Sequence, residues 1–159
     1  MIDAIVEQYG LVKNTRFQVL NFIETEVRGD IDIPVPEFNN KTIKWMLVHI
    51  ANTYLSWSRR FAFNTTVAFY NAEDVPGLWA IRTIFSEMDL LMIKFFIEFE
   101  ITLFEPIKGE ASNGRVVNSS ALELYTHVIT HEFHHKGQIM SMCRLLGHEP
   151  ADTDIIRFD

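Results

Sequence analysis

Three clusters of helix breakers divide this chain, and between them apolar residues recur at the 3.6-residue spacing of an α-helix. The first stretch runs from Ile2 to Arg28, with Ile5, Tyr9, Val12, Leu20 and Ile23 on one stripe. Gly29 and Asp30 end it, and Pro34 and Pro36 hold the next connection extended. Asn39 or Asn40 offers an N-cap for a second helix, Lys41 to Phe63. An irregular segment follows, from Asn64 through Pro76 and Gly77, and a third helix spans Leu78 to Phe104. Pro106 and Gly109 close it, and GEASNGRVVN reads as a loop. Ser120 and Glu123 spell a capping box that opens the fourth helix, Ala121 to Leu146, with Gly147 at the C′ position and Pro150 beyond. Helices of about 35 to 40 Å, joined by loops of roughly ten to fifteen residues, predict an all-α, up-down four-helix bundle. Residues 1–159 form one such domain on this reading.

Composition removes several classes of function. Apolar residues make up 48% of the 159, which excludes a disordered chain, and five Pro with seven Gly are too few for an all-β fold. A net charge of -7 argues against a nucleic-acid surface, which needs clustered Lys and Arg. The apolar run Leu90 to Phe104 is broken by Lys94, Glu98 and Glu100, so no membrane span is expected. Asp3 and Glu7 stand where a signal peptide would be basic, and the lone Cys143 cannot form an internal disulfide, so the expected compartment is the cytoplasm. The third helix is apolar on more than one face. It must lie at the centre of the monomer or in a dimer interface, and a homodimer is expected. Trp45, Trp57 and Trp79 read as core or pocket lining, and Cys143 as a small core residue. Asp152, Asp154 and Asp159 read as a solvated tail long enough to pack across a bundle end.

The chemistry is concentrated in the histidines. His127, His131, His134 and His135 fall within one short stretch of the fourth helix. Residues four apart on a helix differ by about 40° and lie one turn apart, so His131 and His135 share a face at metal-ligand spacing. His127 lies a further turn back and too far round to join both of them without distortion. His131 to His135 also satisfies H-E-x-x-H, in which Glu132 would activate water, but the extended protease pattern needs Gly at 138 and His at 141. The chain has Gln138 and Ser141 there, and its sole later Glu, Glu149, lies beyond the Gly147 stop. A di-iron carboxylate site needs two E-x-x-H motifs, and Glu132 to His135 supplies one. A third ligand must come from another helix, and His49, amid Trp45, Met46, Leu47, Val48 and Ile50, is the candidate. Three neutral imidazoles leave a position open for substrate and suit one divalent transition metal, Zn or Ni foremost, with Fe or Cu also compatible.

These residues carry a family resemblance. Leu47-Val48-His49-Ile50, the run from His127 through His131, His135, Lys136, Gly137 and Gln138 to Ile139, and the ending Arg144-Leu145-Leu146-Gly147-His148-Glu149-Pro150 together resemble the DinB/YfiT-like proteins. The resemblance covers the order and length of all four helices. It implies a bundle, often dimeric, with a divalent metal on His49, His131 and His135 and with His134 outside the ligand set. It also implies a thiol-dependent enzyme, of the kind that adds bacillithiol or mycothiol to electrophiles or uses mycothiol in an isomerisation.

Two functions follow. In the first, a low-molecular-weight thiol attacks an electrophilic small molecule in an apolar pocket, with Glu132 as a base or as a partner to a ligand. Glu132 as a solvated surface residue is the competing reading. In the second, the metal serves stability or stress sensing alone, with His127 or His134 closing the coordination shell.

Overall fold

The computed structural model describes residues 2–111, 113–150 and 152–156. It is mostly helical. Helix α1 (Ile2–Phe22) continues through a wider π turn, Ile23–Val27, and a 3₁₀ turn, Arg28–Asp32. Helix α2 (Ile43–Tyr54) likewise widens to π geometry over Leu55–Ala62. Helix α3 is Leu78–Glu98 and α4 is Ala121–Leu145. At the start of α4, the Ser120 hydroxyl accepts from Glu123 N, and the Glu123 carboxylate accepts from Ser120 N at 2.8 Å. At its end, Gly147 adopts φ 91°, and the amides of Gly147 and His148 return to the carbonyls of Arg144 and Cys143. That is a Schellman stop, which needs a left-handed residue at C′.

Three expectations about the elements are corrected. The α2 cap is Thr42, whose Oγ1 accepts from Trp45 N at 3.0 Å. Asn39 and Asn40 instead sit at φ 55° and 56° and turn the chain before it. Helix α3 stops at Glu98, short of Phe104. The expected loop contains a hairpin of β1 (Pro106–Glu110) and β2 (Val116–Ser120), paired antiparallel with Lys108 opposite Asn118. Alternation explains it: Ile107 and Val117 pack inward on the core while their neighbours face out. Asn113-Gly114 is a hairpin dipeptide, and Gly114 takes the positive φ the reversal requires. Gly109 is no helix stop; a Cβ there would meet the Phe61 ring at 3.1 Å, so glycine lets β1 lie on that ring.

Cross-helix contacts set the direction of each helix. Tyr9 meets Phe96 while Arg82 reaches Asn21, so α1 and α3 are antiparallel. His49 meets His131 while Trp57 meets His127, so α2 and α4 are antiparallel. Ser58 meets Met92 while Phe63 meets Phe99, which makes α2 and α3 parallel. The order is therefore up-down-down-up, not alternation throughout. Residues 63–77 permit this, because about 50 Å of extended chain exceeds the roughly 32 Å length of a 21-residue helix. Asn52 fastens that returning segment, donating to Tyr70 O at 2.8 Å and accepting from Tyr70 N at 2.9 Å.

One continuous apolar core joins the four helices, with Leu47, Tyr54, Met92, Phe95, Tyr125, Val128 and Ile139 among its buried members. Cys143 belongs to it as expected, and burial pushes its thiol up to about 11. Trp79 does not: it is 69% exposed. Helix α3 is not central either, since Leu90, Ile93 and Ile97 face solvent. In the tail, Thr153 is buried and its carbonyl accepts from Lys136 Nζ at 2.6 Å, while Asp152 and Asp154 are exposed. Asp159 lies outside the described residues. Among the described residues, no helix is long and apolar enough to cross a membrane.

Candidate metal centre

The antiparallel packing of α2 on α4 carries His49 to the middle of α4. Its ring centroid lies 5.0 Å from that of His131 and 4.8 Å from that of His135. One donor nitrogen from each of the three can be chosen so that all lie within 4.8 Å of one another. The Nε2 atoms of His131 and His135 are 3.2 Å apart. Two nitrogens bound to one tetrahedral Zn at 2.0–2.1 Å would be separated by about 3.3 Å, so this pair already stands at ligand spacing.

Neighbouring side chains orient two of the three rings. His135 Nδ1 meets Gln138 Oε1 at 2.6 Å. An amide oxygen only accepts, so the proton resides on Nδ1 and the Nε2 lone pair faces His131. His49 is stacked on Trp45, 5.0 Å between centroids and 10° between planes, and Lys41 Nζ sits 4.2 Å over the other ring partner, Trp45. His131 Nδ1 is buried with no hydrogen-bond partner among the described residues, so no side chain fixes the tautomer of this third ring. Burial holds all three rings below the usual histidine range, His131 down to about 4 with its imidazole neighbours adding to the effect. They are neutral at pH 7, the form in which imidazole binds a metal. The donor set fits a divalent transition metal.

His127 and His134 stand outside this group. His127 is exposed and edge-on to Trp57, with its ring 5.8 Å from that of His131. His134 is exposed and lies beside His135. A cavity of about 350 Å³ opens before His49 and His131. Larger clefts exist beside Gly147 and along α3, but neither is lined by any of the three histidines.

Glu132 is neither a surface residue nor turned to these rings. It is 4% exposed, and Arg16 donates to both its oxygens at 2.8 Å while Tyr54 OH donates to Oε2 at 2.5 Å. Arg16 also donates to Asp89 at 2.7 Å, and Tyr9 OH donates to the same oxygen. The cluster ties all four helices together one residue from His131. Its partners were readable: Arg16 falls on the stripe of Tyr9, Val12 and Leu20, and Glu132 lies four residues after Val128. A charge at an apolar-stripe position is the signal of a buried partner. Gln138 and Trp45 could be found the same way, three residues after His135 and four before His49.

The sequence profile of the DinB family matches residues 12–159. Over 120 residues the chain is 26% identical to "Protein DinB" of Bacillus subtilis (strain 168), covering 71% of this chain and 69% of that protein. The histidine group, the four helices that position it and the match along nearly the whole sequence agree: this chain belongs to the DinB family.

Proposed function

We propose that this protein is a metal-dependent enzyme, acting with a low-molecular-weight thiol on an electrophilic small molecule. The observation that carries this reading is the pair of histidine nitrogens at ligand spacing, joined by His49 and open on one side to a cavity. A divalent cation there, Zn or Ni foremost, would supply a Lewis acid that stabilises a thiol as thiolate at neutral pH. Gln138 fixes the tautomer of His135, and Trp45 fixes the plane of His49. Glu132 acts as a positioning residue, since its bonds to Arg16 and Tyr54 hold the turn of α4 that carries His131. A purely structural metal would favour a fourth protein ligand, and neither His127 nor His134 belongs to the group, which supports the enzyme.

The exposed apolar face of α3 fits a second copy of the chain. Leu90, Leu91 and Ile97 are flanked there by Arg59 and Lys94 and by Glu87 and Glu98, so both signs of charge are present for a two-fold mate. Light scattering at micromolar concentration should give twice the 18.5 kDa chain mass, and a monomer would refute the pairing. The proposed compartment is the cytoplasm. The enzymatic reading is tested by incubating metal-loaded and chelator-stripped protein with several thiols and a chlorodinitrobenzene electrophile. Thioether should form, with release of chloride, faster with the loaded protein than with the stripped protein once the uncatalysed rate is subtracted, and equal turnover in both samples would overturn the reading.

A further inference from the structure

We propose that the open side of the histidine group takes an uncharged substrate with a flat apolar body, seated between Trp57 and Phe69. This rests on reading the three histidines as the metal site of an enzyme, and it narrows what that enzyme can accept.

The cavity before His49 and His131 is walled by Asn52, Thr53, Ser56, Trp57, Phe69 and His127. Charged residues make up 22% of the chain, yet among the described residues none lines this space. Three cations of neighbouring elements are engaged elsewhere, and Arg59 lines the cleft along α3 instead. Arg16 is buried on Glu132 and Asp89, Lys41 covers Trp45, and Arg60 donates to Glu110 O. A carboxylate entering the cavity would shed water with no side-chain cation to replace it.

Most of the polar groups in the walls are also committed. Asn52 uses both ends of its amide on the Tyr70 backbone, which places Phe69 beside the opening. Thr53 Oγ1 donates to His49 O at 3.1 Å. The Ser56 hydroxyl and the His127 ring have no hydrogen-bond partner among the described residues. Together they can orient one carbonyl or hydroxyl of a ligand. Trp57 is held by Phe61 on one side and His127 on the other, at 5.6 and 5.2 Å between centroids. Phe69 is 46% exposed, an aromatic face that a planar ligand would cover. A volume of about 350 Å³ limits that ligand to the small end of the range.

The test uses the full chain loaded with Co(II), whose sulfur-to-cobalt absorption reports thiol binding directly. Benzyl mercaptan, 2-mercaptoethanol and mercaptosuccinate are titrated in turn. Benzyl mercaptan should bind about tenfold more tightly than either of the others, the worth of one good aromatic contact. Trp57→Ala should remove that advantage while leaving 2-mercaptoethanol within about twofold, which shows that fold and metal survive. Phe69→Ala, at a more exposed position, should act in the same direction. Mercaptosuccinate binding as tightly as benzyl mercaptan, or both variants keeping the preference intact, would overturn the proposal and leave the metal enzyme standing. Failure of the protein to hold Co(II), or of any thiol to alter its spectrum, would overturn both.

Discussion

Replacing Arg16 with alanine should be among the most destabilising single changes in this protein. Arg16 and Glu132 side chains are each 6% exposed, and the guanidinium donates to both carboxylate oxygens at 2.8 Å. Removing it strands an anion in the core with Tyr54 OH as its remaining donor, and leaves Asp89 bonded by Tyr9 at its partly exposed site. Breaking one side of a buried pair costs about 3 to 5 kcal/mol, against a total stability of roughly 5 to 15 kcal/mol. In a domain of this size that is a fall in Tm of about 6 to 20 °C. Glu132→Leu should cost less than Arg16→Ala, because the guanidinium keeps its ion pair with Asp89 at 2.7 Å. The double variant Arg16→Met with Glu132→Leu should cost at least about 2 kcal/mol less than the sum, since both charges leave the core together. Urea unfolding followed by circular dichroism, in chelator so that metal binding does not enter, measures all three. A cost below about 1 kcal/mol for Arg16→Ala, or simple additivity in the double variant, would refute the clasp as a buried ion pair.

Acid should weaken the protein through the histidine group. Burial lowers the pKa of His49, His131 and His135, so between the folded and unfolded values the native state binds fewer protons. The stability these rings contribute is complete above 6.5 and is lost as pH falls toward the folded value of His131, about 4. Urea midpoints should decline across that window, less steeply in His131→Asn; a flat profile would refute it. Gln138→Leu should weaken metal binding by about 10- to 100-fold, read by competition with a chelating dye, because His135 loses the bond that sets its tautomer. Gly147→Ala should cost about 1 kcal/mol in chemical denaturation, since φ 91° is strained for any residue with a Cβ.

What could be read from the residues, and what could not, divides along a physical line. Features encoded locally were legible: helical stripes, the Ser120–Glu123 box, the Gly147 stop and the i, i+4 pair His131–His135 are each written within a turn or two of chain. His49 was legible because a mid-helix histidine had to meet another mid-helix face. The direction of α3 was not, because a connection as long as residues 63–77 can return the chain either way. The β-hairpin was obscured by polar residues at Lys108, Glu110 and Asn118, although alternation and Asn113-Gly114 marked it. Glu132 adjoins His131 in sequence but lies on the Val128 stripe, four residues on. That stripe turns it to Arg16 and Tyr54 in the core.

The three-histidine site is open to one decisive measurement: metal per chain by elemental analysis, for tag-free parent and His49→Ala, after exposure to Zn or Ni. His49 is half-buried at the edge of the core, so the variant should keep the parent's helical circular dichroism. About one metal per parent chain and markedly less in the variant is the expected result for a site with three nitrogen ligands. No metal in the parent, or equal metal in a well-folded His49→Ala, would contradict it.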